Sequence, residues 1–449
     1  MFCLAKRKSN FILSIPGPLQ GTSCNSFSSS VVAHKHVSIH RGKRKKGKGK
    51  NADPNSAPGP LPKTPGAFKP LPSSQLTNPL FEDKSDIIFR EFPPLERSAM
   101  GQVAQFPDTK WSPMINFGLP RNILVDFRLM AKPCSVVRED TVTLAREMDR
   151  AAEESSAKHR SVLTGSAGCG KSYLMLQTVT HCAKSGWVVL YIPRAQNFVN
   201  STTSYFYDPR TQTYFQPIAA FQNLQRLLNA NFDTLTSLRL QKSVELDKRN
   251  PLPEGISFAE VIEIGLKDAT LAPNILSIVL EELGKQEQYP VLFAVDDFQA
   301  LYCDKTIYRD AEFSHIRPWH MSMPRLIMDY ASGKKTFARG AFLGALSCQN
   351  TQFPLELELR EGLQLPHDRP TSPYVRRHPA LVEYAHGLKS IPISEKLSQA
   401  EATAIFEMWM AEKVFHSKPT DTLFLSKYSE SCGNARDFVR GGLLAGLTL

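Results

Sequence analysis

The sequence predicts an α/β protein in which strands and helices alternate to build a doubly wound parallel sheet. Four short apolar runs have the composition of strands that are buried on both faces, and they cover residues 161–164, 187–192, 291–295 and 341–346. Helical patterns separate these runs, for example at residues 218–231 and 258–266. A glycine-rich turn follows the first run and leads into a helix. In a sheet of this kind, ligands bind at the carboxyl ends of the strands.

The first 52 residues differ in composition from the rest of the chain. They contain eleven Lys and Arg residues and no Asp or Glu, whereas the remainder has 43 basic and 43 acidic residues, so the formal net charge of +11 belongs to this segment. A long acid-free segment is typical of a mitochondrial transit peptide, and we expect it to be disordered. The basic cluster at residues 41–50 has an alternative interpretation as a nuclear-localisation or RNA-binding tail.

Residues 53–95 are crowded with proline and predict an extended, semi-rigid linker, with a strap along a partner surface as the alternative. The folded core is expected from residue 96 to residue 390. The eight cysteines form no C-x-x-C pair, which argues against a disulfide framework or a zinc site and favours a reducing compartment. No run of 18 apolar residues occurs, so no transmembrane helix is expected.

The glycine-rich turn has a sequence that fits the phosphate-binding pattern G-x-x-x-x-G-K-[ST], namely Gly165-Ser166-Ala167-Gly168-Cys169-Gly170-Lys171-Ser172. Its glycines let the backbone turn sharply, and its N–H groups would surround a polyphosphate together with the start of the next helix. Lys171 would contact the β- and γ-phosphates, and the hydroxyl of Ser172 would bind Mg²⁺. A strand precedes this turn and a helix over residues 172–184 follows it, which favours a nucleotide site over a chance match.

Two acidic residues directly follow the third apolar run. Asp296 stands at the carboxyl end of a buried strand, where a Walker-B carboxylate holds Mg²⁺ opposite the loop serine. Asp297 occupies the position at which many ATPases carry a glutamate that polarises the attacking water. Because aspartate is one methylene shorter, Asp297 predicts weak or absent hydrolysis. A helix cap or a turn is the alternative interpretation of this acidic pair.

Polar residues also end the fourth apolar run, at Ser347, Gln349 and Asn350. Related NTPases place a residue that senses the γ-phosphate here, and an ordinary exit from a strand is an equally open interpretation. The sequence contains no Asn-Lys-x-Asp, the guanine-recognition pattern of small GTPases. The expected cofactor is therefore GTP or GDP, or ATP or ADP, together with Mg²⁺.

Residues 391–449 predict a small helical lid. A capping box at residues 398–401 starts a helix that runs to residue 414, and further helices are expected at residues 422–429 and 437–444. Arg436 is a candidate for a cis-acting arginine that stabilises phosphate charge, and a solvent-facing arginine is the alternative. A fifth strand near residues 390–393 is disfavoured by its proline.

The order of four features resembles the AAA+/STAND branch of P-loop NTPases. These are the glycine-rich loop, the acidic pair after the third run, the polar residues after the fourth run and the Gly-Asn-x-Arg sequence before the last helix. A narrower resemblance covers residues 95–449. It rests on the basic presequence and on three features of the region after the second strand, namely Tyr191-Ile192-Pro193, Phe215-Gln216-Pro217 and a helix with Leu224, Leu227 and Leu228 that runs to Asn231. These features resemble the death-associated protein 3 family, the P-loop proteins of the mitochondrial ribosomal small subunit, in a fungal-type form.

This resemblance implies a structural protein in the head of the small ribosomal subunit, near its interface with the large subunit, in the mitochondrial matrix. It implies rRNA and small-subunit proteins as partners, and GTP as the bound nucleotide. The family's site positions match Gly165, Gly170, Lys171, Ser172 and Asp296, and Arg436 stands in a similar place. Two other functions stay open: an active AAA+-type NTPase that serves as an assembly factor or loader, and a nuclear protein that uses the basic tail.

Overall fold

The computed structural model describes residues 89–109, 112–245, 251–348, 350–367, 374–412 and 419–445. The predicted transit peptide lies outside these residues, and so does the predicted linker up to residue 88. Gln349 and the predicted end of the helix at residues 413–414 also lie outside them. The fold and the candidate site are built from the described residues alone.

The described strands form a five-stranded central sheet and three small sheets. In chain order the strands are β1 (Arg90–Glu91), β2 (Val103–Gln105), β3 (Cys134–Val136), β4 (Arg160–Thr164), β5 (Val188–Ile192), β6 (Phe206–Asp208), β7 (Thr213–Phe215), β8 (Val244–Glu245), β9 (Pro251–Leu252), β10 (Val291–Val295), β11 (Gly340–Ala345) and β12 (Lys389–Pro392). The central sheet has the order β12–β4–β11–β10–β5, and each neighbouring pair is parallel. The predicted α/β fold with a parallel sheet is therefore confirmed.

The register of the central sheet aligns the carboxyl ends of its strands. Val295 of β10 pairs with Ile192 of β5 on one side and with Gly344 of β11 on the other. Leu163 of β4 pairs with Ala345 of β11. The residues that follow β4, β5, β10 and β11 therefore meet at one edge of the sheet, and these four strands were predicted from their apolar runs.

The fifth strand, β12, extends the sheet beyond the expected core boundary at residue 390. It pairs with β4 alone and is therefore an edge strand, with Pro392 opposite Thr164. A proline is tolerated at an edge because one side of the strand needs no partner for its N–H groups. The expectation that Pro392 argues against a strand was wrong, and the residues after the sheet begin two positions later than predicted.

The folded part also begins earlier than residue 96. β1 pairs in parallel with β2, and β2 pairs antiparallel with β3, which gives a small three-stranded sheet. Phe92 and Leu95 are buried, and the ring of Phe92 stacks on Phe106 with centroids 5.6 Å apart. These apolar side chains interrupt the proline-rich composition, and their burial joins the end of the predicted linker to the core.

The described helices cover the sheet and build the C-terminal region. They are α1 (Pro113–Phe117), α2 (Arg121–Leu129), α3 (Glu139–Ala151), α4 (Lys171–Lys184), α5 (Pro217–Ala230), α6 (Phe232–Ser237), α7 (Phe258–Lys267), α8 (Ala272–Lys285), α9 (Ser322–Ser332), α10 (Leu357–Gly362), α11 (Pro379–Ala385), α12 (Gln399–Ala411) and α13 (Asp421–Glu430), and a π-helix spans Asp437–Leu443. Every residue of β5, β10 and β11 is buried, which requires cover on both faces of the sheet.

The helices that position the site follow from local sequence signals. α4 packs against β5, β10 and β11, and α3 packs against α4 and β11. α12 begins with the predicted capping box, in which the Ser398 hydroxyl accepts from the Glu401 N–H, and it packs against the small sheet through β2 and β3. α13 packs against the π-helix. Among the described helices, none is long and apolar enough to span a bilayer.

Candidate nucleotide site

The loop of residues 165–172 joins β4 to α4 at the carboxyl edge of the sheet. Its three glycines all have positive φ angles, with Gly165 at 139°, Gly168 at 86° and Gly170 at 101°. At Gly168 an added Cβ would lie 2.5 Å from Oδ1 of Asn434. The predicted role of this glycine, a sharp turn close to other groups, is therefore matched by both its backbone angle and its surroundings.

The side chain of Lys171 folds back into this loop. Its Nζ donates to the carbonyl oxygens of Gly165 and Ser166, at 2.9 and 2.7 Å, and lies 3.6 Å from Sγ of the buried Cys169. The ammonium group therefore stands at the centre of the loop, held by two acceptors. A phosphate oxygen that enters the loop would replace these weaker neutral acceptors with a charged one.

Ser172 and Asp296 come together next to the loop. Interaction with the Ser172 side chain and the charge of Lys171 both act to lower the pKa of the buried Asp296 carboxylate, which shows that these groups lie close together. Asp296 follows β10, which is separated from β4 by β11, so the two side chains meet across the end of β11. The two residues are 124 positions apart in the sequence, and the topology of the sheet brings them together.

The two aspartates after β10 both have raised pKa values. Burial raises the pKa of Asp296, and the neighbouring Asp297 carboxylate raises it further. Burial also raises the pKa of Asp297. A positive charge beside such a pair favours its ionised form. The Ser172 hydroxyl and the Asp296 carboxylate are oxygen donors of the kind that Mg²⁺ prefers, so these residues fit that ion.

Mg²⁺ would take its other ligands from water and phosphate, because it binds through one or two protein groups in sites of this kind. Within the described ranges, no group of three or more His, Cys, Asp or Glu side chains is arranged to hold a metal. When bound, the ion supplies positive charge to the phosphate oxygens.

Asp297 is held in place by its own contacts. Its backbone is left-handed, with φ 56° and ψ 34°, and its N–H donates to Oδ1 of Asp296 at 2.9 Å. Interaction with the Ser347 side chain and the positive charge of Arg194 both act to lower the pKa of its carboxylate, against the larger effect of burial. Arg194 was not singled out from the sequence. Its position two residues after the buried strand β5 was the available signal, since ligands in such folds bind at that edge of the sheet.

The polar residues that follow β11 have different partners. The Gln299 side chain makes two hydrogen bonds with the backbone of Ser347: it donates to the carbonyl at 2.9 Å and accepts from the N–H at 2.9 Å. Asn350 instead donates to Gln196, away from the acidic pair. Sγ of Cys348 lies 3.5 Å from the Gly165 carbonyl. Among the described residues of this exit, Ser347 is the one that interacts with the Asp297 carboxylate.

The turn before the π-helix contacts the loop directly. Nδ2 of Asn434 donates to the Ala167 carbonyl at 2.9 Å, and the backbone N–H of Arg436 donates to the Gly168 carbonyl at 3.1 Å. The backbone of Arg436 thus contacts the loop, whereas its side-chain Nε pairs with Asp437 at 3.4 Å. Its role as a cis-acting arginine towards a nucleotide stays a prediction. Asn434 was quoted in the sequence only as part of a helix start.

Arg138 is a further loop contact that the sequence analysis missed. It precedes α3, and its Nη1 donates to the Cys169 carbonyl at 2.6 Å. Its Nη2 donates to the carbonyls of Ser394 and Lys396, at 3.1 and 3.4 Å, and its Nε lies 3.5 Å from Glu401. Arginine is usually exposed, so nothing in the local sequence indicated a buried guanidinium here.

A cavity of about 190 Å³ opens beside the loop. It is lined by α2, the end of β3, the start of α4, α12 and the π-helix. Across one wall, Arg440 pairs with Asp126 at 2.9 Å, and the Tyr173 hydroxyl donates to the same carboxylate at 3.0 Å. In another wall, Nε1 of the buried Trp409 has no hydrogen-bond partner among the described residues. This nitrogen is fully buried, and the cavity has largely apolar walls.

Comparisons with known proteins identify relatives of this chain. The family model described as mitochondrial ribosomal death-associated protein 3 matches residues 135–441. The small ribosomal subunit protein mS29 of Neurospora crassa is 26% identical over 315 residues, which cover 68% of this chain and 66% of that protein. The mS29 of Schizosaccharomyces pombe is 25% identical over 345 residues, which cover 75% and 70%. The chain thus spans about two thirds of the length of these fungal relatives.

A structure of the ORC2 protein of Aeropyrum pernix, in its ADPNP–ADP complexes, aligns with this chain at 15% sequence identity. The alignment covers 68% of this chain and 60% of the ORC2 chain. Its TM-score of 0.30 is too low for the likeness to carry an argument. The family match is different, because it covers more than half of the chain and includes the loop, the acidic pair and the turn before the π-helix. The chain therefore belongs to the mitochondrial ribosomal death-associated protein 3 family, as its resemblance predicted, and it is a protein of the mitochondrion.

Proposed function

We propose that this chain is a structural component of the small subunit of the mitochondrial ribosome and that it holds a purine nucleotide with Mg²⁺ in the 165–172 loop. The ribosomal role is supported by its family and by relatives named small ribosomal subunit protein mS29 in fungi and in cattle. Small-subunit proteins and rRNA are the proposed partners. The fold we propose is a P-loop NTPase of the AAA+/STAND type, with α12, α13 and the π-helix as its lid.

One observation carries the nucleotide part of this proposal, namely the contact between the Ser172 hydroxyl and the Asp296 carboxylate beside the loop. Lys171 lies in the loop next to this pair and would contact the β- and γ-phosphates of a bound nucleotide. The base would occupy the cavity beside the loop, whose walls are largely apolar. Guanine is the base that the family resemblance favours.

A bound nucleotide would act as a structural ligand. A ligand that binds only the folded state stabilises it by about 2.7 kcal/mol at a hundredfold excess over its Kd. Here the nucleotide would contact the loop, α2 and the C-terminal helices at once, because all of them line the cavity. It would therefore hold these elements in one arrangement and present a rigid surface to the ribosome.

We expect weak or absent hydrolysis because of the length of the side chain at position 297. Asp297 is one methylene shorter than the glutamate with which many ATPases polarise the attacking water. This difference argues against the alternative function, an active AAA+-type NTPase that serves as an assembly factor or loader.

The ribosomal role is tested by sedimentation of the tagged full-length chain from mitochondrial lysates. We expect it to sediment with the small subunit at physiological salt, and to show little phosphate release after purification. Sedimentation as a free species at every salt concentration would contradict the structural role. A steady phosphate release that disappears in the Lys171→Ala variant would instead support the NTPase.

A further inference from the structure

The orientation of the 165–172 loop is set by groups that lie outside it. The carbonyl oxygens of residues 167, 168 and 169 accept hydrogen bonds from the Asn434 side chain, the Arg436 N–H and the Arg138 side chain, respectively. The two preceding carbonyls, at residues 165 and 166, accept from Lys171 within the loop. Five consecutive carbonyls of the loop therefore have defined partners, and three of these partners come from elsewhere in the chain.

The direction of these carbonyls decides where the loop N–H groups point. In a trans peptide unit, the carbonyl and the N–H of the next residue point in opposite directions. When the carbonyls of residues 167–169 face their external donors, the N–H groups of residues 168–170 are turned away from them. A loop can bind a phosphate through successive N–H groups only if its peptide units are turned in this way.

The external donors also connect the loop to both ends of the C-terminal region. Arg138 donates to the carbonyls of Ser394 and Lys396, in the segment that leads from β12 to α12. Asn434 lies in the turn that joins α13 to the π-helix, and its Oδ1 accepts from the N–H groups of Arg436 and Asp437. A change in the loop therefore reaches the C-terminal helices through two side chains.

We propose that Arg138 and Asn434 are positioning residues that turn the loop for phosphate binding, so that nucleotide binding and docking of the C-terminal helices stabilise each other. This inference rests on the proposed nucleotide-binding function. It assigns the coupling to two side chains that contact the loop's carbonyl oxygens. By thermodynamic linkage, the factor by which docking strengthens nucleotide binding equals the factor by which nucleotide strengthens docking.

Two conservative variants separate positioning from charge and from helix capping. Arg138→Lys keeps a positive charge beside Glu401 but loses the planar fork that reaches the Cys169 and Ser394 carbonyls together. Asn434→Ser keeps an oxygen that can cap the π-helix but lacks the N–H that reaches the Ala167 carbonyl. Glu430→Ala is the matched control, because it removes only an exposed ion pair with Lys427 in the same region.

The experiment titrates the full-length protein with Mg²⁺·GDP and Mg²⁺·ADP and follows hydrogen exchange in residues 421–443. We expect the Kd for the nucleotide that binds to rise about tenfold in each variant, while the control stays near the wild type. We also expect the nucleotide to slow exchange in residues 421–443 of the wild type, and to do so less in both variants. Wild-type affinity in both variants, or no effect of nucleotide on this exchange in the wild type, would overturn the proposal.

A nucleotide-free comparison keeps this test separate from the proposed function. The Arg436 N–H donates to the Gly168 carbonyl and to Oδ1 of Asn434, so its exchange reports how Asn434 holds the turn against the loop. We expect this exchange to be faster in Asn434→Ser than in the wild type without any ligand, and an unchanged rate would overturn the role of Asn434. If the wild type binds neither nucleotide, the proposed function is wrong, and so is the coupling between nucleotide binding and docking of the C-terminal helices. The exchange rate of the Arg436 N–H still decides whether Asn434 holds the turn on the loop.

Discussion

The Lys171→Ala variant is expected to bind nucleotide about a hundredfold more weakly than the wild type, since hydrogen bonds to charged groups contribute about 1.5–3 kcal/mol each. The substitution removes the ammonium group from the centre of the loop, where it lies within 2.9 Å of two carbonyl oxygens. No other described cation occupies that position. Calorimetric titration with Mg²⁺·GDP and Mg²⁺·ADP measures the change, which should far exceed that of either positioning variant.

Lys158→Ala is the control for this substitution. Lys158 lies just before β4 and is exposed, and its ammonium pairs with Glu154 at 3.0 Å. Exposed pairs of this kind contribute about 0–1 kcal/mol, and the residue is on the opposite end of the strand from the loop. We expect its affinity to equal that of the wild type. Equal affinities in Lys171→Ala and the wild type would contradict the assignment of the loop as the phosphate site.

The Gly340→Ala variant is expected to lose about 3 kcal/mol of folding free energy or more, because an added methyl group has no room between two central strands. Gly340 begins β11 with φ 130°, and a Cβ there would overlap the carbonyl oxygen of Val291 and lie 2.6 Å from its nitrogen. Both contacts are to backbone of the neighbouring strand β10. The strands must separate at this point, which weakens the sheet that aligns the site. Urea denaturation followed by circular dichroism measures the loss.

Gly441→Ala is the matched control for this stability measurement. It makes the same chemical change in the π-helix, where an added Cβ would meet no described atom within 4 Å outside its own helix. We expect its free energy of unfolding to stay within about 0.5 kcal/mol of the wild type. Equal stability of Gly340→Ala and the wild type would show that β10 and β11 do not pair in the register described.

Much of the sheet could be predicted from the sequence because its strands are buried on both faces. Such strands appear as continuous apolar runs, and the runs before the loop and before Asp296 end where the ligand-binding edge begins. The strand β12 could not be predicted in this way. It lies at the edge, so its residues are only partly buried, and its proline is compatible with that position alone.

The residues that surround the loop were harder to predict than the loop itself. A phosphate-binding loop is a local motif, whereas Asn434 contacts Ala167 across 267 positions of sequence and Arg138 contacts Ser394 across 256. Such contacts depend on the topology, and neither residue type is unusual in its local context. The cavity beside Trp409 could not be predicted from the sequence for the same reason, because its walls come from five elements that are separated in the sequence.

The acid-free, basic composition of residues 1–52 predicted a mitochondrial location, and this location agrees with the family. The identity of the bound base could not be predicted in the same way. Its recognition depends on which groups line the cavity, and the sequence offers no short guanine pattern to replace that knowledge. A direct measurement on the purified protein is therefore the decisive one.

That measurement is mass spectrometry of the nucleotide released when the purified full-length protein is denatured, combined with elemental analysis for magnesium. We predict about one purine nucleotide and one Mg²⁺ per chain in the wild type, as expected for a single loop of this type. We predict the loss of both in Lys171→Ala. A wild-type protein that is folded, assembles with the small ribosomal subunit and releases no nucleotide, even after incubation with Mg²⁺·GDP and Mg²⁺·ADP, would contradict the central claim.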